Sequence, residues 1–144
     1  MARIKINPPE KYVFELEVPI RITDLNYGSH VGNERFLALV QEARYRYFQS
    51  LGHTETNFGD NIGIIMADGA VVYKQEVFAE DVLLIQMGAA DFNKYGFDFI
   101  YRLTRKSDGQ EVAMAKTGVV CFDYINRKMV LLPDWLREAL INGA

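Results

Sequence analysis

Cysteine is nearly absent from this 144-residue chain, which has a single one, Cys121. One thiol cannot form an internal disulfide, so we expect a protein of a reducing compartment such as the cytoplasm. The apolar runs are shorter than the ~20 residues of a membrane-spanning helix, and the first residues lack the apolar segment of a signal peptide. Runs of Lys and Arg are also missing, and the net charge is −3. These absences argue against a membrane protein and against a partner made of nucleic acid.

What the chain does contain is 49% hydrophobic residues without linkers or repeats, which predicts a single domain over residues 1–144. Apolar and polar side chains alternate from Tyr12 to Ile20, as in a half-buried strand. A long amphipathic helix is predicted to begin at the N-cap Asn33 and to continue to Leu51, with Gly52 as a left-handed residue after it. Further strands are predicted within 64–78, 82–87, 97–103 and 112–124, and a short helix over 134–140.

The loop that precedes the long helix, residues 23–33, concentrates chemically active side chains. Backbone N–H groups at a helix N-terminus favour developing negative charge, which suits chemistry that passes through an oxyanion. We predict that His30 acts as a base near pH 7, that Asp24 orients it, and that Asn26 binds water or the reacting oxygen. Structural alternatives stay open: Asp24 as a loop cap, Asn26 as a turn residue and His30 as a structural histidine.

The order of strand, long helix and four-strand meander, together with this loop, resembles the hotdog fold. Within that fold, the chain is similar to the 4-hydroxybenzoyl-CoA thioesterase-like group of acyl-CoA thioesterases. The matching residues are Arg21, Asp24, Asn26, His30, Val31, Asn33, Phe36, Glu42, Ala43 and Arg44. The resemblance implies an α+β fold in which a five-stranded antiparallel sheet wraps one central helix. It also implies hydrolysis of an acyl-CoA to a free acid and CoA, with no metal and no cofactor beyond the CoA of the substrate.

The chain departs from the group's motif at Asn26, where many members carry a catalytic acidic residue, and at Gly32, which replaces the first of two asparagines. A carboxamide cannot act as a carboxylate base. Two other functions therefore stay open. One is a non-catalytic acyl-CoA-binding protein. The other is an enoyl-CoA hydratase or dehydratase of the hotdog type, whose motif Asp24, Asn26 and His30 resemble with one extra residue before the histidine.

Binding residues are predicted beside this loop. Asn33 and Glu42 are assigned to the substrate, and an ion pair with a nearby basic side chain is the alternative for Glu42. Aromatic residues on and beside one strand either line an acyl tunnel or form core: Phe92, Phe97, Phe99 and Tyr101. The CoA phosphates are expected near Lys94, Lys116 or Arg127. Because one helix covers only one face of a sheet, we predict a homodimer, with a dimer of dimers as a further option.

Overall fold

The computed structural model describes residues 3–143. In chain order, the elements are β1 Tyr12–Pro19, a 3-10 turn Ile22–Asp24, α1 Arg35–Ser50, β2 Ile62–Tyr73, β3 Val82–Ala90, β4 Gly96–Arg105, β5 Glu111–Asp123, β6 Lys128–Met129 and α2 Asp134–Asn142. The strands form one antiparallel sheet in the order β1-β3-β4-β5-β2, and β6 pairs with the end of β5. The sheet thus has six strands instead of the predicted five, because residues 125–127 fold back as a hairpin that adds a two-residue strand.

The core lies between α1 and one face of the sheet. On β4, the side chains of Phe97, Phe99, Tyr101 and Leu103 alternate onto this inner face and are almost completely buried. They meet the buried side of α1, where Phe48 lies within 6.3 Å of Phe99 between ring centroids. The prediction of an α+β fold with a sheet around one long helix is therefore confirmed at the level of the observed architecture.

The start of α1 differs from the prediction by one residue. The N-cap is Glu34 instead of Asn33, and its side chain makes no capping hydrogen bond. Arg35 N–H donates to the Gly32 carbonyl oxygen at 3.0 Å, so a turn precedes the helix. The predicted left-handed residue after the helix is confirmed, since Gly52 has a φ of 80°.

Strand β2 ends at Tyr73, several residues earlier than the predicted end at Phe78. Beyond it the chain turns towards the loop before α1, and Val31 N–H donates to the Val77 carbonyl oxygen at 2.8 Å. The apolar pattern continues to Val77 because that side chain is buried in the core rather than paired in the sheet. The pairing of β2 with β5 shifts register between Met66 and Asp68, so β2 contains a bulge there.

The outer face of the sheet receives part of its cover from the chain itself. Residues 4–8 share a cavity of about 480 Å³ with outer-face side chains of the sheet, including Ile100 and Lys116. Ile100 is only 4% exposed. That a neighbouring subunit covers the rest of this face stays a prediction. No helix within residues 3–143 is long and apolar enough to cross a membrane.

Candidate active site

The loop between the 3-10 turn and α1 is closed by a small antiparallel bridge between Leu25 and Val31. Asn26 organises it: its backbone N–H donates to the His30 carbonyl at 2.8 Å, and its side-chain Oδ1 accepts from Gly28 N–H at 2.9 Å. Asparagine is a common turn residue for this reason. The turn interpretation of Asn26 thus has direct support in the geometry. Its Nδ2 group has no acceptor within residues 3–143, so that amide can still donate to a ligand.

His30 lines a cavity of about 250 Å³ together with Asn33, Tyr73 and Glu76. Its ring is half-buried, and Nδ1 lies 3.1 Å from the Val31 carbonyl oxygen. A proton on Nδ1 would be donated to that carbonyl, which leaves Nε2 with a lone pair. In this tautomer Nε2 can accept a hydrogen bond from water.

Asp24 is buried, and its carboxylate forms ion pairs with two arginines. Its carboxylate accepts the Arg21 backbone N–H at 2.9 Å and the Arg21 guanidinium at 3.3 Å, and Arg35 lies 3.6 Å away. Burial acts to raise the pKa of Asp24, but the Arg21 hydrogen bonds and the two positive charges outweigh it and lower that pKa. No hydrogen bond joins Asp24 to His30 in the part of the chain that the structure describes. The predicted orientation of His30 by Asp24 therefore lacks a direct contact.

The start of α1 offers backbone donors beside His30. Neither Asn33 N–H nor Glu34 N–H has an acceptor within residues 3–143. Tyr73 holds this turn in place because its hydroxyl donates to the Asn33 carbonyl oxygen at 2.9 Å, and its ring packs edge-on against Phe36 with centroids 5.3 Å apart. Two free amides at a helix N-terminus form a suitable environment for an oxyanion.

The predicted residues are divided between two cavities. His30 and Asn33 line the one just described, whereas Asp24 and Glu42 line a second cavity of about 310 Å³ beside Arg35. Glu42 is 44% exposed and pairs with Arg46, with Nε and Oε2 3.2 Å apart. The alternative of an ion pair for Glu42 therefore has structural support, and a contact between Glu42 and substrate stays a prediction.

The aromatic residues and the lysine that were predicted to bind the acyl chain and the CoA phosphates lie outside both of these cavities. Phe97, Phe99 and Tyr101 belong to the buried core, so the core alternative for these aromatics has the support of the structure. Lys116 forms two ion pairs, since its Nζ lies 2.8 Å from Asp68 Oδ1 and 3.5 Å from Asp98 Oδ2. Among residues 3–143, no group of three or more His, Cys, Asp or Glu side chains is placed to hold a metal ion.

Two features of the site region were not predicted from the sequence. Tyr73 was placed within a strand, and its contact with Asn33 depends on a turn that sequence patterns do not reveal. Arg44 forms a buried network: its Nε lies 2.6 Å from Glu55 Oε1, and its Nη1 donates to the Tyr101 hydroxyl at 3.1 Å. The network joins α1 to the loop after it and to the sheet, so it stabilises the helix that carries the site.

Comparisons with known proteins agree with this architecture. The profile of the thioesterase-like superfamily matches residues 20–140. The long-chain acyl-CoA thioesterase FadM of Escherichia coli is 25% identical over 126 residues, which cover 88% of this chain and 96% of that protein. The solved structure of Slr0204, a 1,4-dihydroxy-2-naphthoyl-CoA thioesterase from Synechocystis, superposes with a TM-score of 0.80 at 21% sequence identity. The match covers 90% of this chain and 96% of Slr0204. A DHNA-CoA thioesterase from Staphylococcus aureus superposes with a TM-score of 0.75 at 16% sequence identity. The match covers 90% of this chain and 94% of that protein. The predicted hotdog fold is thereby confirmed.

Proposed function

This chain belongs to the thioesterase-like superfamily, and from that membership we propose that it hydrolyses acyl-CoA thioesters to a free acid and CoA. The observation that carries the proposal is the position of His30 beside the start of α1: His30 and Asn33 line one cavity, and the backbone N–H groups of Asn33 and Glu34 have no acceptor within residues 3–143. A base for water and donors for an oxyanion are the two groups that this reaction requires. The similarity to FadM, a long-chain acyl-CoA thioesterase, supports the same class of substrate.

In the proposed reaction, His30 Nε2 takes a proton from water as the hydroxyl oxygen adds to the thioester carbonyl carbon. The amides of Asn33 and Glu34 hold the oxyanion, and the Asn26 Nδ2 group adds a further donor. Collapse of the intermediate breaks the carbon–sulfur bond, and the imidazolium returns its proton to the CoA thiolate. The proposal uses no metal and no cofactor beyond the CoA of the substrate. Asp24 supports the loop through Arg21 and Arg35 rather than by touching His30.

The test follows thiol release from a panel of short, long and aromatic acyl-CoA esters. His30→Ala should lower kcat by about 10²-fold or more, the usual contribution of a general base, and Asn26→Ala should lower kcat more than ligand affinity. His53→Ala is the matched control, because the other histidine packs against Trp135 with ring centroids 5.1 Å apart. Wild-type rates in both site variants would contradict the assigned roles.

The same assay separates the two alternatives. Binding of CoA esters without any thiol release would support a non-catalytic acyl-CoA-binding protein, which the engagement of Asn26 Oδ1 by Gly28 favours. A change in enoyl absorbance with crotonyl-CoA, without thiol release, would support a hydratase or dehydratase. Either result would replace the hydrolase proposal.

A homodimer forms part of the proposal. Within the described chain, β2 pairs with no strand other than β5. Glu55 and Phe58 hydrogen-bond to its other edge at Ile64 and Ile62, and that edge is open from Ile65 to Tyr73. Side chains along this edge and the adjacent face of α1 are exposed apolar groups, namely Ile65, Met66, Leu37 and Tyr45. A long open edge with apolar side chains favours pairing with a second copy. Sedimentation should give a dimer that Met66→Glu weakens, whereas a monomeric wild type would exclude it. A further pairing of dimers stays a prediction.

A cytoplasmic location is proposed as well. The single thiol of Cys121 is buried and unpaired, and burial raises its pKa to about 11. Such a thiol is neither a nucleophile nor a disulfide partner, as is usual for proteins of reducing compartments.

A further inference from the structure

The orientation of the His30 ring needs a source other than Asp24, since no hydrogen bond joins these two side chains within residues 3–143. The contact that fixes the ring is the one between Nδ1 and the Val31 carbonyl oxygen, at 3.1 Å. In a histidine site, the partner of one ring nitrogen decides which nitrogen carries the proton. The position of Val31 therefore decides whether Nε2 is left free to accept from water.

Val31 is held in turn by the segment that follows β2. Its backbone N–H donates to the Val77 carbonyl oxygen at 2.8 Å, and both valine side chains are buried. Residues 74–78 form neither helix nor strand, yet residues 75–77 line the same cavity as His30. Backbone groups of such a segment find their partners in other parts of the chain. Whatever holds this segment thus holds one wall of the cavity and, through Val31, the imidazole.

Arg105, the last residue of β4, makes two contacts with this segment. Its Nη1 donates to the Glu76 carbonyl oxygen and its Nη2 to Gln75 Oε1, both at 2.8 Å. On the other side of the guanidinium, Nε donates to Asp108 Oδ2 at 3.1 Å, and Nη1 lies 3.8 Å from Asp81 Oδ2. The Arg105 side chain is 13% exposed, so little water competes for these bonds. The guanidinium therefore joins the cavity wall to the end of the sheet.

The other backbone contacts of the segment lie near its ends. The N–H groups of Lys74 and Gln75 donate to the Val112 carbonyl oxygen, and Phe78 N–H donates to the Asp81 carboxylate at 2.9 Å. Between these points, the Glu76 carbonyl oxygen has no hydrogen-bond donor within residues 3–143 other than Arg105. The middle of the segment, directly before Val77, is thus held by one side chain.

We propose that Arg105 is a positioning residue for His30: it holds residues 75–77, Val77 holds Val31, and the Val31 carbonyl holds the imidazole with Nε2 free. The kinetic consequence of this inference rests on the proposed function, whereas the geometry does not. A lysine at position 105 would keep the positive charge but could not replace the fork. An ammonium is a point charge, whereas the guanidinium reaches two acceptors with two separate nitrogens.

The first test is the tautomer of His30, read from the ring-nitrogen chemical shifts by NMR at about pH 8.5, roughly two units above the pKa of an ordinary histidine. The wild type should carry the proton on Nδ1. Arg105→Lys should move the His30 signals towards those of a mixture of tautomers. The chain has two histidines, so His30→Ala assigns the signals, and His53, which packs against Trp135, should not change. A general loss of structure would move the signals of both histidines.

The second test is kcat and KM for thiol release from an acyl-CoA. In Arg105→Lys, kcat should fall by about 10-fold or more, as expected for a misplaced catalytic group, and KM should change less. Arg102→Lys is the matched control, because Arg102 lies on the same strand and its Nε contacts Glu111 instead of the segment, at 2.8 Å. It should keep the wild-type tautomer and kinetics. Gln75→Leu removes one of the two acceptors at an exposed position, so it tests the inference even if Arg105→Lys does not fold. It should move the His30 signals in the same direction.

Three results would overturn the inference: a proton on Nε2 of His30 in the wild type, a wild-type tautomer in Arg105→Lys or in Gln75→Leu, and equal changes in Arg102→Lys. The proposed function fails separately. If the wild type released no thiol from any acyl-CoA, hydrolysis would be excluded, while a tautomer change confined to His30 would still support its positioning by Arg105.

Discussion

Replacing Arg44 by Met should destabilise the protein strongly, because the guanidinium is buried with two specific partners. The Arg44 side chain is 7% exposed, and its partner Glu55 is 19% exposed. Breaking a buried ion pair by removing one member costs about 3–5 kcal/mol, since the other charge stays behind without compensation. The partial exposure of Glu55 allows some rehydration, so we expect the lower end, about 3 kcal/mol. For a chain of this size, that loss corresponds to a fall in Tm of about 9 °C.

The assay is urea unfolding followed by tryptophan fluorescence, with calorimetry for Tm. Arg46→Met is the matched control, because this arginine lies on the same helix and its pair with Glu42 is 47% and 44% exposed. An exposed pair contributes at most about 1 kcal/mol, so the control should stay close to wild type. Removing Arg44 and Glu55 together should recover part of the loss. If Arg44→Met cost no more than Arg46→Met, the buried network would not stabilise the fold as we argue.

Two further predictions concern the loop and the sheet. The lowered pKa of Asp24 means that its ionised form stabilises the folded state above the ordinary carboxyl pKa and that this stability is lost as the pH falls through the folded-state pKa. Asp24→Asn should therefore have a lower free energy of unfolding than wild type at about pH 7, as measured by urea titration. The difference in free energy between the two proteins should disappear below about pH 4. A difference that grows in acid would contradict a lowered pKa for Asp24. Gly96→Ala should cost at least 1–3 kcal/mol, roughly the cost of overpacking, because its Cβ would meet the Val119 carbonyl oxygen. Gly69→Ala, whose Cβ would have its nearest neighbour at 3.6 Å, is the control in the same unfolding assay, and equal losses would refute the steric explanation.

The sequence predicted the elements that local periodicity encodes. The strand predicted within 97–103 lies inside β4, and helical spacing predicted α1 to within two residues at each end. These patterns are readable because side chains repeat every two residues in a strand and every 3.6 in a helix. Periodicity did not predict the end of β2 correctly. Val77 continues the apolar pattern of the strand, yet its backbone pairs with Val31 in the loop before α1.

For the candidate site too, the sequence determined some features and the tertiary structure determined others. The sequence by itself determined that an imidazole, carboxamides and a helix N-terminus belong to one short loop, because residues that close in the chain cannot be separated in space. Only the tertiary structure decided which partner each group has. Asp24 is bound by Arg35 from the helix, and the Tyr73 hydroxyl reaches Asn33 from a strand forty positions away. The carboxylate of Glu34 lies over Gly32. Such pairings depend on how the sheet closes around α1, and that closure is set by contacts between residues far apart in the chain.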